Sequence, residues 1–381
     1  MKKNQLNSRK NSTLKKSLII LFFIFLLLAC SSENEKEGWR TYRHDGFRSA
    51  ITDEGIPENL SPKWVFKPTH SPVAAWYKPG EELPRMHVDN TYNVVSANGL
   101  VYFGSSVDNK LYALNSSTGI EEWTFFAEGP IRFAPSIWKN RIYFGSDDGY
   151  VYCLNAENGN LEWKYRAGPS DKKVLGNGNM VSLWPVRTSV LVEDDVVFLS
   201  AGIFPYEGIY ICALDAEDGK VVWKNDSIGD KAHEMQFGGI SPFGYLLTSE
   251  DHLYIPSGRS MPAVFDKKTG KFLYALSPGS KAGGTWALIN EGNLIAGVDR
   301  SGTPTKIVYD IESGQRKGDA FVSFNGIDMA ARGNISFVVT KNGIHAIDRV
   351  KYPQIENRID SLLSEIQKTS GSIRKIAQLN V

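Results

Sequence analysis

Apolar positions cluster through residues 111–114, Leu-Tyr-Ala-Leu, and stop at Asn115; four residues later Gly119 begins a second short run that closes on Trp123. An apolar strand, an Asn that starts a tight turn, a Gly at positive φ and a strand leaving through a large aromatic predict a β-hairpin. The pattern returns at residues 151–163, Val-Tyr-Cys-Leu-Asn-Ala-Glu-Asn-Gly-Asn-Leu-Glu-Trp, and at 211–223, Ile-Cys-Ala-Leu-Asp-Ala-Glu-Asp-Gly-Lys-Val-Val-Trp. Aligning the turn residue gives Asn115, Asn155, Asp215, Asp266, Asp310 and Asp348, at spacings of 40, 60, 51, 44 and 38. Copies of this length with several short strands each predict an all-β fold, a β-propeller of four-stranded blades. The long spacings place insertions at residues 167–184 and 226–242.

The second copy resolves into an inner strand A at 132–138, B at 141–146, C at 150–155 and an outer strand D at 160–166. Lys139-Asn140 and Asp147-Asp148-Gly149 supply the turns between A, B and C. Later copies diverge: Tyr274 stands in place of the exit Trp, then Gly318, and the sixth copy has neither the turn Gly nor the second hairpin strand. Residues 62–67, Pro-Lys-Trp-Val-Phe-Lys, read as a D strand with no hairpin before it, and so as the strand that closes the ring and covers its edges. The Pro-rich connection from 67 to 91, with Trp76, Tyr77 and His87, reads as a loop over one face. Beyond Asp348 the apolar spacing becomes helical at Ile355, Ile359, Leu362, Leu363 and Ile366, with a stop near Thr369-Ser370-Gly371 and a further apolar segment through Ile373, Ile376 and Leu379. Two ring accounts stay open: six blades closed by the N-terminal strand, or seven or eight blades of which this chain carries six.

Lys2, Lys3, Arg9, Lys10, Lys15 and Lys16 precede an apolar run from 18 to 29 that is too short to span a bilayer, which marks a signal peptide. Leu27-Leu28-Ala29-Cys30 matches the bacterial lipobox, whose Cys is acylated, and Ser31 after it favours the outer membrane in a two-membrane bacterium. The expected division is therefore a lipoprotein signal 1–30 ending at Cys30, a tether 31–38, a propeller 39–350 and a helical segment 351–381. Of the 381 residues 43 are basic and 42 acidic, so charge gives no case for a nucleic-acid partner. Cys153 and Cys212, the two other cysteines, sit at neighbouring C-strand positions that face opposite sides, which predicts buried thiols and no disulfide.

Arg132 and Arg187 each lie ten residues before the equivalent B-strand position of their copies, at Ile142 and Val197. On the innermost strand both would face the channel, where two guanidiniums bind a carboxylate, a phosphate or an acidic loop, or pair with an Asp and hold blades together. The equivalent positions elsewhere are Thr91, Phe243, Gly284 and Ile327, which would make the charge one-sided. Arg259, at the end of a B strand, is a third candidate for a ligand or partner. Trp64, Trp123, Trp163 and Trp223, one per copy, read as blade-docking residues. Asp147-Asp148-Gly149 reads as a hairpin turn rather than a metal loop, and no histidine shows metal-ligand spacing.

These repeats, with Trp39-Arg-Thr-Tyr-Arg-His-Asp-Gly-Phe-Arg-Ser-Ala ahead of them, resemble the PQQ-type β-propeller family over residues 39–349. The resemblance implies two functions. Quinoprotein dehydrogenases of this fold hold pyrroloquinoline quinone at the channel mouth with calcium, an Asp base and, in many, a disulfide of adjacent cysteines; this sequence has no adjacent Cys pair and no matching carboxylate cluster. BamB-type lipoproteins of the barrel assembly machinery share the lipobox and the repeat and bind partners without the cofactor. In the wider family the propeller is often the first part of a longer protein, which favours the larger ring. The resulting expectation is a lipid-anchored, cofactor-free, non-catalytic scaffold for a protein or ligand in the bacterial envelope. The alternative is a quinoprotein (PQQ-dependent) oxidoreductase with PQQ and calcium, or the propeller module of a larger envelope enzyme.

Overall fold

The hairpin that recurs in the sequence is built by the side chain of its first turn residue. Asn115 Oδ1 accepts the backbone N–H groups of Ser117 and Thr118, and Gly119 N–H closes the turn on the Asn115 carbonyl at 2.8 Å. Asn155, Asp215, Asp266 and Asp310 repeat the arrangement. The computed structural model describes residues 38–75, 89, 91–176, 178–235, 238–258, 262–276, 286–298, 305–320, 328–340 and 342–379. The signal peptide, the tether through residue 37, Cys30, Trp76, Tyr77, His87, Arg259, Gly284 and Ile327 lie outside the described residues.

Five four-stranded antiparallel sheets follow one another in strict chain order. The first holds β1 (Val95–Ala97), β2 (Leu100–Gly104), β3 (Lys110–Asn115) and β4 (Glu121–Phe126). The second holds β5 (Ser136–Trp138), β6 (Arg141–Gly145), β7 (Tyr150–Asn155) and β8 (Leu161–Arg166). A separate hairpin, β9 (Lys173–Gly176) with β10 (Asn179–Ser182), occupies the first insertion. The third blade is β11 (Leu191–Glu193), β12 (Val196–Ala201), β13 (Tyr210–Asp215) and β14 (Val221–Asn225). The fourth is β15 (Leu247–Thr248), β16 (His252–Ile255), β17 (Ala263–Asp266) and β18 (Phe272–Ala275), and the fifth is β19 (Trp286–Asn290), β20 (Asn293–Val298), β21 (Thr305–Asp310) and β22 (Arg316–Ala320). A sixth, three-stranded sheet of β23 (Asp328–Arg332), β24 (Ile335–Thr340) and β25 (Gly343–Asp348) leads into helix α1 (Lys351–Leu379). The all-β propeller expected from the repeat is the observed fold.

Each of the five complete blades carries a register shift at the same point of its C–D pairing, between Ala113 and Leu114, Cys153 and Leu154, Ala213 and Leu214, Val264 and Phe265, and Val308 and Tyr309. A bulge there increases local twist. In the first four blades the exit aromatic then lies over the turn glycine of the next. A Cβ on Gly159 would sit 2.6 Å from Trp123, and one on Gly219 would sit 2.8 Å from Trp163; Trp223 covers Gly270 and Tyr274 covers Gly314 in the same way. The indoles of Trp163 and Trp223 also donate to the first turn carbonyl of the following blade, Ala216 at 3.2 Å and Lys267 at 3.0 Å. A second inter-blade tie comes from B-strand tyrosines: Tyr102, Tyr143 and Tyr254 donate to the carbonyls of Ala156, Ala216 and Ile311.

Two sequence expectations are corrected here. Residues 62–67 form no ladder with β25 or with any described strand, so they do not complete the sixth sheet; Trp64 nevertheless lies over Gly119 and donates to the Ser116 carbonyl at 2.9 Å. The docking depends on the aromatic and the turn, which need no ladder behind them. Helix α1 does not stop at residues 369–371 but runs to Leu379, because a mid-helix Gly costs only about 1 kcal/mol relative to Ala.

Cys153 and Cys212 are free thiols, as the alternation of strand faces predicts, yet they enter one buried layer between the second and third blades. Opposite faces of consecutive blades meet in the same interface. Burial pushes both thiols up to about 12.

The leader 39–50 forms the hub of the ring. Its carbonyls accept Ser96 N–H of the first blade, Ile137 N–H of the second, Thr248 N–H of the fourth and Ile289 N–H of the fifth, all between 2.8 and 3.0 Å. Arg43 reaches the sixth sheet through Asp328 at 2.8 Å and the Met329 carbonyl. Arg48, with no solvent exposure, donates to the Leu246 carbonyl at 2.8 Å and to Thr41, Tyr42, Asp45 and Ser189. Burial lowers its pKa to about 10, which leaves it charged at neutral pH.

Candidate partner-binding face

In an antiparallel A–B–C–D blade the A–B and C–D turns lie at one end, and the B–C turn and the D-to-A connection at the other. Arg132 and Arg187 precede the inner strands of blades two and three, and Asp147 occupies the B–C turn of blade two, so topology delivers all three to the second end. There Arg132 Nε meets Asp147 Oδ2 at 2.8 Å, while Arg187 meets Oδ1 through Nε at 2.9 Å and Oδ2 through Nη2 at 3.0 Å. The carboxylate is completely buried. Burial alone raises a carboxyl pKa, but Arg187 and Arg132 outweigh it and hold Asp147 below the ordinary range.

Arg132 also reaches Asp89 Oδ2 at 3.2 Å and the Val73 carbonyl at 2.8 Å, which ties the connection before the first blade into the same cluster. Asp89 Oδ2 accepts Ala75 N–H at 2.7 Å, whereas its Oδ1 is buried without a hydrogen-bond partner. Burial raises the Asp89 pKa against the opposing pull of Arg132. The two arginines therefore converge, and what they grip is a carboxylate of their own chain. Asp148 is turned away: it takes the N–H groups of Glu128 and Tyr150 and the Tyr152 hydroxyl at 2.7 Å.

Phe133 follows Arg132 into the ring and packs edge-on against Phe243 and Tyr245, at 5.5 and 5.2 Å between centroids. Tyr245 stacks on Tyr42 of the leader, and its hydroxyl oxygen accepts the Ala134 N–H at 3.1 Å. The interior beside blades one to four is thus layered, with arginines on Asp147, then aromatics, then the Arg48 hub. Of the other expected docking residues, Trp123, Trp163 and Trp223 lie at blade-to-blade contacts and Trp64 lies against the first blade's C–D turn.

Above the clamp lie the insertions. The Asp147 carbonyl accepts Ser182 N–H at 2.7 Å, which anchors the β9–β10 hairpin to the same turn that holds the arginines. Trp184 donates to the Glu207 carbonyl at 2.5 Å and so fixes the short 3-10 turn Pro205–Glu207 in the B–C connection of blade three. Ser241 Oγ donates to the Ile203 carbonyl at 2.6 Å, joining the second long insertion to that turn. Leu175, Met180, Phe204 and Tyr206 protrude from this end with 75%, 56%, 46% and 76% of their surface exposed. Large apolar side chains gathered on rigidly anchored loops are a signature of an interaction surface. Leu175 and Met180 lie in the first insertion, which the repeat spacing located without singling them out; Phe204 and Tyr206 lie in the B–C connection of blade three, which the spacing did not mark.

A quinone with calcium requires cationic groups free to bind its carboxylates and a set of ligands for the metal. Both clamp arginines already hold Asp147, and among the described residues no group of three or more His, Cys, Asp or Glu is arranged to hold a metal ion. These residues do not fit that cofactor.

The family model described as outer membrane protein assembly factor BamB matches residues 71–184 and 179–351. Tetrathionate hydrolase of Acidithiobacillus ferrooxidans is 26% identical over 184 residues, covering 45% of this chain and 32% of the relative. Outer membrane protein assembly factor BamB of Yersinia pestis is 29% identical over 137 residues, covering 35% and 32%. The chain thus spans about a third of the length of these curated relatives. Among solved structures, the quinohemoprotein alcohol dehydrogenase of Comamonas testosteroni superposes with a TM-score of 0.54 at 16% identity, covering 83% of this chain and 53% of its own. That likeness is one of fold.

Proposed function

The chain belongs to the outer membrane protein assembly factor BamB family, and from that premise we propose that it is a non-catalytic scaffold that binds a protein partner in the bacterial envelope. The observation that carries this reading is the division of labour at one end of the ring. The polar groups that a ligand would need are closed on each other around Asp147, while the anchored first insertion and the B–C connection of blade three above them present Leu175, Met180, Phe204 and Tyr206 to solvent. Exposed aromatic and Met side chains are the residue types enriched at protein interfaces.

A photo-crosslinking residue at Tyr206 or Leu175, in cells, gives a discrete protein adduct, and one at Asn158 in the opposite-end C–D turn of blade two gives none. Equal labelling at the two ends, or no adduct at Tyr206 and Leu175, contradicts the scaffold reading. Arg132 and Arg187 act in this scheme by holding the floor of the face, and Arg259 remains a candidate contact.

Membrane attachment through Cys30 and placement at the outer membrane belong to the same proposal, supported by the lipobox sequence. Cys30→Ser leaves an unprocessed precursor that migrates more slowly and is not labelled by a fatty-acid analogue; normal processing of that variant argues against the anchor. The alternative, a quinone-dependent oxidoreductase or the propeller module of one, is favoured by the dehydrogenases among the relatives.

A further inference from the structure

Helix α1 leaves the sixth sheet carrying an apolar stripe that nothing described covers. Tyr352 packs on the cluster of that sheet, but Ile355, Ile359, Leu362, Leu363 and Ile366 are all exposed. Tyr352, Ile355, Ile359, Leu362, Ile366 and Thr369 are separated alternately by three and four residues, and in the sequence the same step continues to Ile373 and Ile376. A repeat of 3.5 residues is the seam of a coiled coil, with Ile359 and Ile366 at a positions and Ile355 and Leu362 at d positions. A solitary helix gains nothing from such a stripe, since most helical stability comes from packing an apolar face.

We propose that α1 pairs with α1 of a second copy of this chain as an antiparallel coiled coil. A seam of this kind is self-complementary about a two-fold axis. Antiparallel, Ile359 layers on Leu362 of the second copy and Ile355 on Ile366 of the second copy, which makes four layers by symmetry. In that register the flanking Arg358 faces Glu365 of the second copy, twice per dimer. Both residues are exposed, and among the described residues neither is ion-paired within its own chain. A parallel pairing would set Arg358 against Leu363 and Glu365 against Ser370, with no charge match, and would crowd two propellers at one end of the seam. Antiparallel pairing puts the propellers at opposite ends.

Sedimentation velocity on the full chain in non-ionic detergent tests the pairing. A reversible dimer is expected, and Arg358→Glu or Glu365→Arg, each creating two like-charge contacts, weakens it on the order of tenfold. The double variant restores the wild-type dissociation constant. Circular dichroism of each variant verifies that the fold is unchanged. A wild-type chain that stays monomeric at concentrations up to on the order of 100 μM, or a double variant no tighter than the singles, overturns the proposal.

Discussion

Asp147 is a carboxylate held by two guanidiniums from two blades, and its removal separates charge from shape. Asp147→Asn leaves Arg132 and Arg187 buried against a neutral amide, and loss of one partner of a buried ion pair costs about 3–5 kcal/mol, measured by denaturant unfolding. The penalty has a pH signature. Because the folded pKa of Asp147 is depressed, its contribution is fully present above the ordinary carboxylate pKa near 4 and is lost as pH falls through the lower folded value. The stability gap between wild type and variant therefore closes in acid. The repeat alignment revealed that Arg132 and Arg187 occupy equivalent places; it did not reveal Asp147 as their common partner, since Asp-Asp-Gly already satisfies the rule for a hairpin turn. Asp89 lay hidden in a Pro-rich connection with no repeat to align it. The thiols give a second test at this scale: with Cys153 and Cys212 buried and raised to about 12, Ellman's reagent labels neither at pH 8 until the protein is denatured.

Between elements, the aromatic-on-glycine contact is the recurrent joint. Gly219 has φ of 71°, so Gly219→Ala meets both backbone strain and a clash with Trp163. Trp163→Ala alone removes the packing and costs about 3 kcal/mol or more. Combined, the two changes cost less than their sum, because the clash disappears with the indole; a double-mutant cycle in urea reads that coupling. Strict additivity would show that the ring does not bear on the glycine. This joint was legible, since Asn, Gly and Trp recur at fixed spacing in the sequence. The bulge beside it and the tyrosine ties from strand B were not, because a register shift leaves no letter behind and Phe198 replaces the tyrosine in blade three. Residues 62–67 show the same limit: their Trp predicts the docking it makes, while ladder pairing depends on what lies alongside.

At the scale of the molecule, twelve leader residues hydrogen-bond the inner strands of five of the six blades and reach Ser189 just before the inner strand of the third. Arg48 is the centre of that hub, and Arg48→Ala orphans buried carbonyls of the leader and of Leu246 together. A loss of about 3 kcal/mol or more is expected, with the melting transition broadening as blades lose a common anchor, measured by calorimetry. A sharp, unshifted transition would show that the blades cohere without it. The sequence marked the leader only by resemblance; its role follows from spatial convergence of the inner strands of separate blades, which no local pattern encodes.

The same convergence sets Arg48, Arg132 and Arg187 on partners within the chain, and that is the ground for reading this propeller as a binder. Titration of the purified chain with pyrroloquinoline quinone in the presence of calcium, followed by quinone absorbance and dye-linked alcohol oxidation, tests that claim most directly. No saturable binding and no turnover are expected; stoichiometric uptake of the quinone with oxidation of an alcohol or sugar would contradict it.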